Sequence, residues 1–308
     1  MLAKSDTELD AVVIGAGFAG IHMLSSLMSL DYSAIVLEAG DEVGGTWNWN
    51  RYPGARCDTE SMFYSYGFSE ALQQEWNWSE RYPKQPEILS YAKHVVERFN
   101  LSNNIKFNTR VININWNKKN RKWSLETEDG EYITANFCIM ATGCLSSPNY
   151  PNIDGLDDFE GEIYHTGRWP KSDVVFDNKN IAVIGNGSSG IQAITEIAKT
   201  APLLNIFQRT ANYVVPAHNR GLNKQEVAEI KSNYSTLREK AKETYSGNIF
   251  ESGGPSALAV SVDERIAEYE SRWNNGGLCF MAAYDDLQSN TEANKTAAEF
   301  IENKIKEI

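Results

Sequence analysis

After a polar start the chain runs through Ala11-Val12-Val13-Ile14, a short β-branched stretch that suits a strand buried on both faces. It enters Gly15-Ala16-Gly17-Phe18-Ala19-Gly20, then a helical stretch to about Leu30. A second apolar run, Ala34-Ile35-Val36-Leu37, ends at Glu38. That order predicts strand, glycine-rich turn, helix and parallel strand. It recurs as Ile181-Ala182-Val183-Ile184, Gly185-Asn186-Gly187-Ser188-Ser189-Gly190, a helix to about Lys199, and Leu204-Asn205-Ile206-Phe207. Between the two units, alternating stretches near 105–115, 122–127 and 132–140 predict strands, with turns at 117–120 and at Asp129-Gly130. The last of these enters Ala141-Thr142-Gly143. Residues 146–175 hold Pro148, Pro151 and Pro170 and little periodicity, which predicts a connector. Beyond about 223 the pattern turns helical and charged, over 223–245, 262–273 and 290–308.

Length changes this picture little: 308 residues suit about two domains. Hydrophobic residues at 42% and charged residues at 23% exclude a disordered or fibrous chain. The net charge of −12 argues against nucleic-acid and anionic-membrane partners, whose affinity needs cations. Cys57, Cys138, Cys144 and Cys279 form no CxxC pair and no metal-ligand spacing, so free thiols and no metal are expected. Residues 11–30 carry no Asp, Glu, Lys or Arg and reach the length of a membrane span. Their three glycines, three serines and His22 favour a buried strand–turn–helix instead. The N-terminus is polar and acidic, unlike a secretory signal, and the expected location is cytoplasmic.

The glycine-rich turns carry the chemistry. The first glycine permits the tight turn, the second lets backbone approach a pyrophosphate, and the third lets helix and strand pack closely. The helix N-terminus then presents unpaired N–H groups to the phosphates. Glu38, at the end of the second strand, accepts hydrogen bonds from ribose hydroxyls and repels a 2′-phosphate, which suits FAD or NAD. At the equivalent place after the second turn stand Gln208, Arg209 and Thr210. With no acid and a guanidinium available for a 2′-phosphate, this site suits NADPH. A hydride donor at the second site leaves FAD, by elimination, for the first. The predicted fold is α/β, with two Rossmann-like dinucleotide-binding domains.

Phe159, Gly161, His165, Trp169 and Pro170 stand at the spacing FxGxxxHxxxW followed by Pro or Asp. Gly44-Gly45-Thr46-Trp47 is followed by Tyr52-Pro53-Gly54 and Asp58, and residues 81–87, 141–143 and 208–210 add further motifs. Together they resemble, along the whole chain, the type I Baeyer–Villiger monooxygenases. Flavin-containing and N-hydroxylating monooxygenases are near relatives whose histidine motif usually lacks the final tryptophan, so Trp169 is the separating residue. The resemblance implies an enzyme that uses FAD, NADPH and O2 to insert one oxygen next to a ketone carbonyl, giving an ester or lactone. It implies FAD contacts from Gly15, Gly17, Phe18, Ala19, Gly20, Glu38, Ala39, Gly45, Thr46, Trp47, Asp58, Tyr64, Val111, Ala141, Thr142 and Gly143. It implies NADP contacts from Gly185, Gly187, Ser188, Ser189, Gly190, Gln192, Arg209 and Thr210. Asp58 is expected near the reactive edge of the flavin. His165 is expected to support catalysis from the domain junction, without acting as an acid or base.

The expected domains are 1–145, the N-terminal part of the FAD-binding domain; 146–175, the connector; 176–212, the start of the NADP-binding domain; and 213–308, an incomplete helical insertion. In the family an active-site arginine, preceded by a lysine that helps hold the 2′-phosphate, follows that insertion. Neither is in this sequence. The resemblance therefore implies an N-terminal portion with the C-terminal part missing, inactive or uncoupled by itself, and a place for a complementing C-terminal polypeptide. A flavin-dependent N- or S-oxygenase and a non-catalytic FAD/NADP-binding fragment stay open as alternatives.

Overall fold

A computed structural model describes residues 8–244 and 247–308. The polar residues 1–7, and residue 245 at the end of one expected helix, lie outside the described residues. The chain divides into two compact units, each discontinuous. One is Met1–Ala55 with Gln85–Asn178 and Thr195–Thr200; the other is Arg56–Lys84 with Lys179–Ile194 and Ala201–Ile308.

The first unit begins with β1 (Glu8–Ile14), α1 (Phe18–Ser29) and β2 (Ala34–Leu37). Ala11, Val12 and Val13 are fully buried, as a two-sided strand requires. The short α2 (Thr46–Trp49) follows. After the excursion that carries α3 (Glu70–Glu75), the chain returns as α4 (Gln85–Arg98). Helix α4 buries Ile88, Leu89, Tyr91, Ala92, Val95 and Val96, one apolar face at helical spacing. Then come β3 (Ile105–Lys106), β4 (Val111–Asn117), β5 (Lys122–Thr127) and β6 (Tyr132–Met140). The sheet order is β3-β2-β1-β6-β5-β4. The first four strands are parallel, whereas β6, β5 and β4 form an antiparallel meander.

The expected strand at 105–115 is two strands, at opposite edges of this sheet. Asn108 adopts φ +51°, a left-handed conformation that asparagine tolerates, and so ends the run. At this break the Asn108 N–H donates to Gly40 O and the Thr109 N–H to Glu38 O, both at 2.8 Å. Backbone groups that leave the sheet are therefore satisfied at the end of β2.

In the second unit β7 (Asn180–Ile184) and β8 (Leu203–Phe207) pair in parallel, with α5 (Ser188–Ile197) between them in sequence. Among the described residues four helices follow: α6 (Lys224–Ser232), α7 (Tyr234–Lys242), α8 (Val262–Asn275) and α9 (Thr291–Glu307). Helix α8 opens on a capping box, in which Ser261 accepts from the Glu264 N–H and the Glu264 carboxylate accepts from the Ser261 N–H. Tyr269 and Trp273 of α8 pack with Phe280, Tyr284, Leu287 and Ile301 in an aromatic core. The excursion Arg56–Lys84 is pinned to these helices. Arg238 donates to the carbonyls of Phe63 and Ser65 at 2.9 and 3.1 Å, and Lys231 donates to Gln74 O at 2.6 Å. Among the described residues no helix is long and apolar enough to cross a membrane.

Candidate functional site

Gly15 leaves β1 at φ +102°, and its N–H donates to Leu37 O at 2.8 Å. A Cβ at Gly20 would lie 1.8 Å from Gly15 O, so α1 meets the turn backbone to backbone. Gly17 stands at the N-cap of α1 with no side-chain cap, which leaves N–H groups for an anion. A Cβ there would lie 3.5 Å from the Gly45 Cα, and one at Gly15 would lie 2.6 Å from Ala141 O. The loop after β2 and the end of β6 thus close on the first turn. Glu38 is buried beneath it: Oε2 accepts from the Ala16 N–H at 2.6 Å and Oε1 from the Gly40 N–H at 2.7 Å. Each oxygen keeps a further lone pair. Phe18 packs its ring 6.1 Å from that of Tyr91. Trp47 is buried and its carbonyl accepts from Gln85 Nε2, a residue of the 81–87 motif to which the sequence reading gave no role. Ala19, Thr46 and Thr142 are exposed, whereas Ala39 and Val111 are half-buried. Gly143 takes φ +70°.

The second turn repeats the first. Gly185 has φ +102° and donates to Phe207 O at 2.8 Å, and a Cβ at Gly190 would lie 2.4 Å from Gly185 O. The Ile191 N–H reaches Gly187 O at 3.0 Å, as the Ile21 N–H reaches Gly17 O at 3.0 Å. Among the described residues nothing lies within 4 Å of a Cβ built at Gly185 or Gly187. In the position of Glu38 stands Gln208, whose Oε1 accepts from the Asn186 side chain at 2.6 Å. Ser188, Arg209 and Thr210 are exposed, and Ser189 is half-buried. Two residues expected at the flavin, Asp58 and Tyr64, lie in the excursion that groups with this unit. Asp58 accepts from Gln192 Nε2 at 3.0 Å. The Tyr64 N–H donates to Glu60 O at 3.0 Å.

His165 sits in the first unit, where its Nδ1 accepts from the Gly167 N–H at 3.0 Å and caps the turn Thr166–Arg168. A neutral ring in that contact carries its proton on Nε2. Its ring lies 5.0 Å from that of Tyr150, and Trp169 lies 5.3 Å from Tyr164. Arg168, which the motif leaves unspecified, stacks 4.2 Å over Trp49 and donates to Ser146 O at 2.5 Å, holding the connector down. The Cys57 thiol is pushed up to about 11, mainly by burial, which disfavours a reactive thiolate. Among the described residues no three His, Cys, Asp or Glu side chains are grouped to hold a metal.

The family model described as pyridine nucleotide-disulphide oxidoreductase matches residues 12–253. The chain is similar to phenazine N-monooxygenase PhzNO1 of Lysobacter antibioticus, at 40% identity over 100% of this chain and 57% of that protein. It is similar to a Baeyer-Villiger monooxygenase of Pseudooceanicola batsensis, at 40% identity over 98% of this chain and 56% of that one. A solved structure of OTEMO in complex with FAD and NADP superposes with a TM-score of 0.93 at 37% identity, over 99% of this chain and 58% of the other. The chain thus spans a little over half the length of the curated relatives it matches.

Proposed function

We infer what this chain does from one premise: it belongs to the pyridine nucleotide-disulphide oxidoreductase family, among the type I Baeyer–Villiger monooxygenases. On that premise the whole protein is an FAD- and NADPH-dependent monooxygenase. It inserts one atom of O2 beside a ketone carbonyl to give an ester or lactone. The observation that carries this reading is the chemical contrast at two matched turns: a buried Glu38 under the first, and Gln208, Arg209 and Thr210 beside the second.

The residues present suit both groups. Glu38 is already oriented by two backbone N–H groups and keeps lone pairs for ribose hydroxyls, while its charge disfavours a 2′-phosphate. Close approach of Gly17 and Gly45 leaves backbone facing a pyrophosphate, which supports FAD at the first turn. The second turn offers open backbone at Gly185 and Gly187 and the exposed Arg209 guanidinium, which supports NADPH. Bound NADPH supplies a hydride, and bound FAD supplies the means to activate O2. Asp58 is assigned to the reaction, and within these residues Gln192 is its hydrogen-bond donor. His165 acts in support, fixing the connector that carries Trp169. Residues 1–145 and 176–212 are assigned to the FAD and NADP sites, 146–175 to the connector and 213–308 to the insertion.

For the 308 residues alone we propose cofactor binding and NADPH oxidation that ends in hydrogen peroxide. Oxygen transfer belongs to the whole protein. The test supplies NADPH, O2 and cyclic, linear and aryl ketones to the FAD-loaded chain and measures ester and peroxide together. Ester equal to the NADPH consumed would overturn the uncoupled reading. Arg209→Ala should narrow the preference for NADPH over NADH about tenfold. The 40% identity to a phenazine N-monooxygenase favours a second reading, oxygenation of a ring nitrogen. An N-oxide from a heteroaromatic amine, with no ester from any ketone, would decide for it.

A further inference from the structure

Gln192 lies one turn into α5, and its amide is used on both sides. Oε1 accepts from the Arg56 N–H at 3.2 Å; Nε2 donates to Arg56 O at 3.3 Å and to Asp58 Oδ1 at 3.0 Å. Turned over, the amide would set its oxygen against both the Arg56 carbonyl and the Asp58 carboxylate, so these contacts fix its orientation. The backbone on either side of Asp58 is held elsewhere. Arg56 bridges Lys84, the Cys57 N–H donates to Pro83 O at 3.2 Å, and the Ser61 N–H donates to Arg81 O at 2.7 Å. The Asp58 side chain, however, is exposed and faces α5 one turn below its N-terminus. An untethered carboxylate there is drawn to the N–H groups of the helix end, the place a dinucleotide's phosphates would take.

We propose that Gln192 is a positioning residue: it holds Asp58 and the Arg56 backbone against α5, keeping the carboxylate off the second glycine-rich turn so that the turn stays open to a nicotinamide dinucleotide. The proposal rests on the assignment of NADP to that turn. It gives Gln192 a role exerted through Asp58, beyond the NADP contact that the resemblance implies.

NADP+ is titrated into the FAD-loaded chain and into Gln192→Leu, Gln192→Glu, Asp58→Asn and the two combined variants. Gln192→Leu should weaken NADP+ binding about tenfold, and Gln192→Glu, nearly isosteric but opposing Asp58 with a second carboxylate, at least as much. Asp58→Asn should restore affinity in both backgrounds. Unchanged affinity in the single variants, or a loss that Asp58→Asn does not relieve, overturns the proposal. Gly190→Val tests the underlying assignment separately: if it binds NADP+ like the parent, the turn is not the site and the proposal falls with it. Hydrogen exchange at the Arg56 amide reads the hold without any ligand. It should quicken about tenfold in Gln192→Leu, and unchanged protection would also overturn the proposal.

Discussion

The two glycine-rich turns share their backbone, with φ +102° at the first glycine and a 2.8 Å bond to the end of the next strand in both, yet their surroundings differ. The first is closed by chain from far along the sequence: Gly45 lies over Gly17, Ala141 over Gly15, and Glu38 is buried beneath. The second has, among the described residues, open space at Gly185 and Gly187, and its flanking strands leave Ile184, Ile206 and Phe207 exposed. Local sterics therefore make the turn, whereas distant segments decide whether it is also part of a core. Substitutions at the first should register as stability. Those at the second should register mainly as binding.

The largest contrast is expected at the third glycines. Gly20→Ala, whose Cβ would sit 1.8 Å from Gly15 O, should cost about 3 kcal/mol in urea unfolding, since backbone cannot yield as a side chain can. Gly190→Ala, at 2.4 Å from Gly185 O, should cost less in the same measurement. Equal losses would show that the closure of the first turn adds nothing. Next in size is the pair that supports the turns. Glu38→Ala strands the Ala16 and Gly40 N–H groups in a buried place and should cost about 1–3 kcal/mol, whereas Gln208→Ala removes an exposed contact and should change stability by about 0.5 kcal/mol.

The smallest effect sharpens the comparison through pH. The Ser33 hydroxyl and N–H, at 2.6 and 2.9 Å, hold the Asp10 carboxyl below its ordinary value of 3.8. A depressed carboxylate contributes stability that is fully present above the unfolded value and lost as pH falls through the folded one. Ser33→Ala should therefore be less stable than the parent at neutral pH, with the gap closing below pH 3.8. The corresponding residue before the second turn is Asn180, which carries no charge, so Asn180→Ala should differ from the parent by an amount that does not change over that range. Thermal melts at stepped pH would check both.

Much of this could be read along the chain because the causes are local. Glycines at 15, 17 and 20 and again at 185, 187 and 190 are the residues such turns require, and both turns are present with helices behind them. The helical, charged pattern beyond about residue 223 likewise placed the helices from α6 to α9 close to where they lie. Glu38 and Arg209 could be told apart because a carboxylate and a guanidinium differ in charge wherever they sit. Other features depend on partners that no window of sequence contains. The run at 105–115 alternates like one strand, but Asn108 turns it so that its halves join opposite edges of a sheet. Asp58 and Gln192 meet across 134 residues, and Arg168 finds Trp49, only because the fold brings those segments together. Burial of Glu38 has the same origin: hydrogen bonds at both oxygens, offered by folded backbone, offset the cost of taking a charge from water.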